Sequence, residues 1–310
     1  MAQRFPSVAL IGATGNVGAL ILKALQEAQP AFNSITLLTR SAKSAATLAQ
    51  GPNIQIKEVD YSSRQSLVAA LTRVDAVVSA IGTKFVDDQK TIIDAAVEAG
   101  VKFFIPSEFG LANTHPLLRR DFSIFDDKNR IQAHLESYLQ QGKIDYALTF
   151  VGLWLDWGIQ GFILDVNNKK VGLWDGGERP ISMTTMASIG KAVLGILEGK
   201  VAAGKREVRV KDINLSQKRL YELAAEVVGK DGWEVKTVDT ARAKTVASEK
   251  LSQGTATLDN IYAFVYRAST AEEYGQPWKP DEDDSERLGL VTWTEDDVKN
   301  LIRNVVAGKQ

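Results

Sequence analysis

The chain has 310 residues, 45% of them hydrophobic and 24% charged, with no cysteine, two histidines and a formal net charge of −1. Disulfides, thiolate nucleophiles and cysteine metal sites are excluded, and His115 and His134 have no carboxylate ligand set beside them, so no metal site is expected. Lysine and arginine are spread without a dense basic cluster, which excludes the footprint of a nucleic-acid binder, and no apolar run approaches the roughly 20 residues that span a bilayer. A small-molecule partner is expected. The first residues lack the pattern of a secretory signal, so the expected location is cytoplasmic.

Short β-rich runs at 8–12, 35–40, 54–60, 76–82, 101–107 and 146–152 alternate with helical patterns, which predicts βαβ units and a parallel sheet. Between the first two, Val17, Leu20, Ile21, Ala24, Leu25 and Ala28 recur at helical spacing and place one apolar face against that sheet. A helix near 89–99 stops at Gly100, a residue suited to a left-handed cap. After residue 152 the alternation fades and Trp154, Trp157 and Trp174 appear among glycine-rich and polar stretches. Ser216 can cap a helix over 217–228, 233–238 can return as a strand, and Thr294 with Asp297 can cap a last helix through about Val305. The acidic stretch 281–286, following Pro280, reads as a solvated loop. The expected fold is α/β: a doubly wound parallel sheet of Rossmann type over 1–152, then a smaller, mainly substrate-binding lobe over 153–310, some segments of which return to the sheet.

Directly after the first run comes Gly12-Ala13-Thr14-Gly15-Asn16-Val17-Gly18, opening into the amphipathic helix. Glycine lets the backbone turn tightly and approach a pyrophosphate, whose charge meets free N–H groups and the positive end of the helix dipole. At the end of the second run, where NAD readers carry an acid for the ribose 2′-hydroxyl, stand Arg40 and, one turn on, Lys43. A guanidinium fork with a second cation suits a 2′-phosphate, so NADPH is the expected cofactor. Asp60 with Tyr61 could border the adenine, and Ala80-Ile81-Gly82 could pass beneath the ribose and pyrophosphate, or each could simply end a strand. Ser107, at the end of the fifth run, completes the cofactor-side candidates.

No tyrosine is followed by lysine at i+4, so the Tyr-x-x-x-Lys pair of short-chain dehydrogenases is missing. Lys128 interrupts an apolar stripe of Ile124, Ile131, Leu135 and Tyr138, all on one helix face. Such a lysine can snorkel outward along its stem; facing a cleft, its amine would be desolvated and suited to proton transfer. Phe109, Trp154 and Trp157 are candidate walls of an apolar, aromatic substrate pocket, with core packing as their alternative role.

The glycine loop, Pro106-Ser107-Glu108-Phe109-Gly110 and Phe125-Asp126-Asp127-Lys128-Asn129-Arg130-Ile131 together resemble the NmrA-like, isoflavone-reductase-like family of atypical short-chain dehydrogenases. Gly152-Leu153-Trp154 and Thr184-Thr185-Met186-Ala187-Ser188-Ile189-Gly190 resemble its fungal members. The resemblance implies NADPH-dependent reduction of small, often aromatic or secondary metabolites, with Lys128 as the acid/base group. Asn129-Arg130 and Leu111-Ala112-Asn113-Thr114 depart from the plant pattern and point away from plant substrates. Some relatives bind the dinucleotide as redox-sensing regulators without turnover and tend to lack the lysine, so a sensor is the alternative to the enzyme.

Overall fold

In the computed structural model, which describes residues 5–48, 51–202 and 204–308, the apolar runs of the N-terminal half form parallel strands covered on both faces. In chain order come β1 (Ser7–Ile11), α1 (Asn16–Glu27), β2 (Ser34–Thr39), the one-turn α2 (Ala42–Ala45), β3 (Ile54–Glu58), α3 (Arg64–Leu71), β4 (Ala76–Ser79), α4 (Gln89–Glu98) and β5 (Phe103–Ile105). Then follow α5 (Pro116–Asp121), α6 (Asp126–Leu139), β6 (Asp145–Tyr146) and β7 (Leu148–Phe150). The sheet order is β3-β2-β1-β4-β5-β6, every pair parallel. The order reverses between β1 and β4, and in open sheets that crevice at the carboxyl ends is where ligands bind. Gly100, at φ +79°, closes α4 in the left-handed conformation.

The sixth predicted strand is two. Ala147 N–H still donates to the Phe104 carbonyl of β5, but Leu148 N–H turns to the Arg206 carbonyl. From there β7 pairs in parallel with a strand far along the chain, so the sheet hands over to a different neighbour.

Past residue 152 come β8 (Leu153–Trp154), α7 (Leu155–Gly158), β9 (Lys170–Trp174), β10 (Pro180–Thr184), α8 (Met186–Leu197), β11 (Glu207–Arg209) and β12 (Ile213–Ser216). The chain ends with α9 (Gln217–Val228), β13 (Glu234–Val238), α10 (Thr240–Ser252), α11 (Leu258–Thr270) and α12 (Glu295–Val306). β11 is the partner of β7, and α8 lies so close on α1 that a Cβ at Gly190 would stand 2.5 Å from the Leu20 carbonyl oxygen. This explains why α1 buries Leu22 beyond its expected stripe: it is covered by the sheet on one side and by α8 on another, while Gly18 is buried against the Gly12–Ala13 turn. Three apolar cores result. One lies between the sheet, α1 and α8, one between the sheet and α3, α4 and α6, and the third fills the C-terminal part, where β8, β10 and β12 pack with α9, α11 and α12. Each fully buried aliphatic side chain in them contributes about 1.5–3 kcal/mol of transfer free energy.

The helix signals of the second half follow the chain closely: the Ser216 hydroxyl accepts from Arg219 N–H at the start of α9, and Thr294 forms a capping box with Asp297 on α12. The acidic stretch 281–286 differs from the solvated loop expected of it. Asp284 is 4% exposed and accepts from the Lys205 ammonium at 2.6 Å, while Glu282 pairs with Arg209 and Asp283 with Lys211. The basic residues of 205–211, far off in sequence, draw the acids onto β11. Among the described residues, no helix is long and apolar enough to cross a membrane.

Candidate active site

The glycine loop leaves β1 and enters α1 within four residues, which forces close backbone contacts. Gly12 sits at φ +81°, and a Cβ there would lie 2.3 Å from the Ala80 carbonyl oxygen; one at Gly18 would lie 2.0 Å from the Gly12 carbonyl oxygen. Those two glycines are therefore required by strand and helix packing, and Gly18 lines neither of the cavities described below. Gly15 is different: its Cβ position meets only the Gly12 oxygen, at 3.3 Å, and otherwise faces open space. It is the N-cap of α1, has no side chain to cap the helix, and the first turn carries no acid, so the orphan N–H groups are left for an anion.

Two cavities meet at this loop, sharing Gly15, Ala80, Ile81 and Gly82. The first, about 370 Å³, is walled by Gly12 to Gly15, the end of β2 through Arg40 and Ser41, Tyr61, and Phe85. Arg40 is exposed, and its guanidinium lies over the Phe85 ring, 5.0 Å from the centroid. Tyr61 donates its phenol to the Leu38 carbonyl at 2.8 Å and turns its ring to the cavity, its hydroxyl pushed up to about 12 by burial. Lys43 and Asp60 do not line this cavity. Lys43 is exposed on α2, and Asp60 stands in a shallow neighbouring groove with Arg40 and Glu58, its carboxyl lowered by hydrogen bonds from the hydroxyl and N–H of Ser62. Glu58, which sequence reasoning passed over, accepts from Ala42 N–H at 2.8 Å and puts an acid beside Arg40.

The second cavity, about 440 Å³, runs from Gly15, Asn16 and Val17 to a wall of aromatic side chains. Phe109, Trp154 and Trp157 all line it, joined by Phe125, Phe162 and Tyr262. Phe109 holds an uncommon φ of +40°, with its N–H donating to the Thr149 carbonyl at 3.0 Å and its carbonyl accepting from the Trp154 indole at 2.8 Å. Asp156, between the two tryptophans, accepts from Met186 N–H at 3.0 Å and ties α7 to the start of α8; burial pushes its carboxyl up. Ser107 lines the cavity, but its hydroxyl donates to the Ile81 carbonyl at 2.8 Å and its N–H to the Gln89 side chain at 2.9 Å, which braces β5 against β4.

Lys128 faces this cavity and does not snorkel away from it; its side chain is 20% exposed. Ile124 precedes α6 in a short 3₁₀ turn, so the stripe that brackets Lys128 begins outside the helix. Nζ donates to the Glu108 carbonyl at 2.5 Å and lies 3.5 Å from the same residue's Oε2. Glu108 is buried and receives Asn113 Nδ2 at 3.0 Å and Gln132 Nε2 at 2.8 Å. Gln132 follows Lys128 at i+4 on the same face of α6, a spacing visible in the sequence; Tyr262, more than a hundred positions away, gave no such signal. The arrangement can hold a flat apolar molecule against an amine, next to a helix N-terminus suited to a pyrophosphate.

A family model described as "NmrA-like family" matches residues 6–253 of this chain. Oxidoreductase aprR of Aspergillus flavus is 30% identical over 254 residues, covering 80% of this chain and 82% of its own. Among solved structures, AtPrR2 with NADP+ and (+)pinoresinol superposes with a TM-score of 0.76 at 18% identity, covering 97% of this chain and 100% of its own. An isoflavone reductase superposes with a TM-score of 0.73 at 22% identity, covering 94% and 98%.

Proposed function

The chain belongs to the NmrA-like family, and from that premise we propose that it is an NADPH-dependent reductase of a small, flat, aromatic or conjugated molecule, with Lys128 as the proton donor. What carries this reading is the placement of the Lys128 amine in an aromatic-walled cavity that is continuous, through Gly15 and Ala80 to Gly82, with a cleft ending at Arg40. The residues present fit the cofactor: an open N-cap glycine, an uncapped helix for the pyrophosphate, and an exposed guanidinium where a 2′-phosphate would stand. When bound, NADPH supplies a hydride to an electrophilic carbon. Gly15, Asn16 and Val17 then anchor the pyrophosphate, while Phe109, Trp154 and Trp157 orient the acceptor and exclude water. As the acceptor's polarised double bond opens, Lys128 gives one proton to the atom on which negative charge collects, and water later restores it.

The test is to titrate purified protein with NADPH and NADH by cofactor fluorescence, then to follow NADPH absorbance with a panel of quinones, aryl ketones and aromatic enones. Binding that favours NADPH, with turnover of at least one acceptor that Lys128→Ala slows by about 100-fold or more, is the expected result. Tight NADPH binding with no turnover across the panel would overturn it in favour of a sensor.

A further inference from the structure

We propose that Glu108 is a positioning residue that holds Lys128 as a charged, proton-loaded ammonium at the cavity, through a hydrogen-bond relay that begins at Arg119. The proposal rests on the reading of Lys128 as the proton donor and fixes which form of it waits in the resting protein.

The relay can be followed by donor and acceptor alone. A guanidinium only donates, so the Gln132 oxygen must accept from Arg119 Nη2 at 2.5 Å. That choice orients the amide, and Gln132 Nε2 donates to Glu108 Oε1 at 2.8 Å and to Asn113 Oδ1 at 2.7 Å. Asn113, accepting at its oxygen, is left with Nδ2 to donate to Glu108 Oε2 at 3.0 Å. Both Glu108 oxygens therefore face donors, and a carboxyl proton would meet an N–H on either one. The wiring selects the ionised acid.

A buried carboxylate needs a compensating charge, since isolated burial of one is costly. Lys128 Nζ, 3.5 Å from Oε2, is that charge, and its bond to the Glu108 carbonyl fixes where it points. Groups from other elements do not offset this. Tyr262 of α11 shares the cavity with a neutral phenol, and Asp127, next to Lys128 on α6, is paired with Arg130. Among the described residues, Glu108 is the one acid that pairs with Lys128. A charged amine here acts first as an acid, which suits delivery of a proton to a reduced substrate.

The experiment is competitive acetylation of the full chain by acetic anhydride across pH, with Lys128 modification read by mass spectrometry. It needs no substrate, so a failed search for turnover and a failure of this proposal are separate results. In Glu108→Gln, which keeps the shape and removes the charge, the pH midpoint for Lys128 labelling should fall by about one unit or more, a tenfold rise in free amine at a given pH. Arg119 is exposed, so Arg119→Met carries the test even if the buried change impairs folding; it frees the Gln132 amide to turn and should move the midpoint the same way by less. NADPH affinity serves as the control for intact structure. A midpoint unmoved from wild type in either folded variant would overturn the proposal, because a merely structural acid would not set the charge of the amine.

Discussion

The two cavities share a floor at Gly15 and Ala80 to Gly82 yet are made in different ways. The first is drawn mainly from the carboxyl ends of β1, β2 and β4 and the turns just after them, with Tyr61 added from the turn after β3, and its polar parts are backbone groups, the Arg40 guanidinium, the Asp88 carboxyl and hydroxyls such as those of Thr14 and Ser41. The second needs β1's loop, the turn after β5, α6, β8, α7 and α11, and its character comes from side chains. A cleft made chiefly at strand ends is set largely by the strand–turn units that surround it. A cavity made of side chains exists only once distant segments have packed, so the aromatic wall and the Lys128 amine sit on the part of the molecule least constrained by local sequence.

That contrast predicts that chemistry and cofactor binding separate under mutation. Lys128→Ala should lower kcat by about 10²–10⁴-fold, the usual contribution of one acid/base group, while the Kd for NADPH stays near wild type. Steady-state kinetics beside a fluorescence titration checks this, and a parallel loss of cofactor affinity would mean that the cavities are one coupled site. In the other direction, Arg40→Ala should weaken NADPH by about 10–100-fold, corresponding to loss of charge-assisted hydrogen bonds worth roughly 1.5–3 kcal/mol, and leave NADH unchanged. Equal effects on both cofactors would place the 2′-phosphate elsewhere.

The smallest change sharpens the second cavity alone. Trp154→Phe keeps an aromatic wall but removes the indole donor from the Phe109 carbonyl, at a cost of about 1 kcal/mol that should appear as a roughly five-fold higher KM with NADPH binding intact. Kinetics on whichever acceptor is turned over would measure it. An unchanged KM would show that the Phe109 backbone keeps its positive φ without that bond.

Much of this was legible from residues 8 to 40 alone. The glycine loop, the apolar periodicity of α1 and the arginine after β2 are local patterns, and local geometry fixes where they stand. The caps at Ser216 and Thr294 were readable for the same reason, since a hydroxyl bonded to an N–H three residues on needs no distant partner. By periodicity Lys128 was legible as an exception in a stripe, compatible with either a cleft or solvent until α11, α7 and the turn after β5 closed around it; the resemblance of 125–131 was its other signal.

By itself the sequence determined the parallel sheet and the tight glycine turn between β1 and α1, because each follows from backbone sterics and hydrophobic period over a few tens of residues. Only the tertiary structure decided the rest: that α8 covers α1, that the acids of 281–286 pair with Lys205, Arg209 and Lys211 in and around β11, that Lys43 and Asp60 stand outside the first cavity, and that Glu108, Asn113, Gln132 and Arg119 form one network behind Lys128. Those outcomes depend on charge pairing and shape between segments far apart in the chain, and such contacts leave no period in the sequence to read.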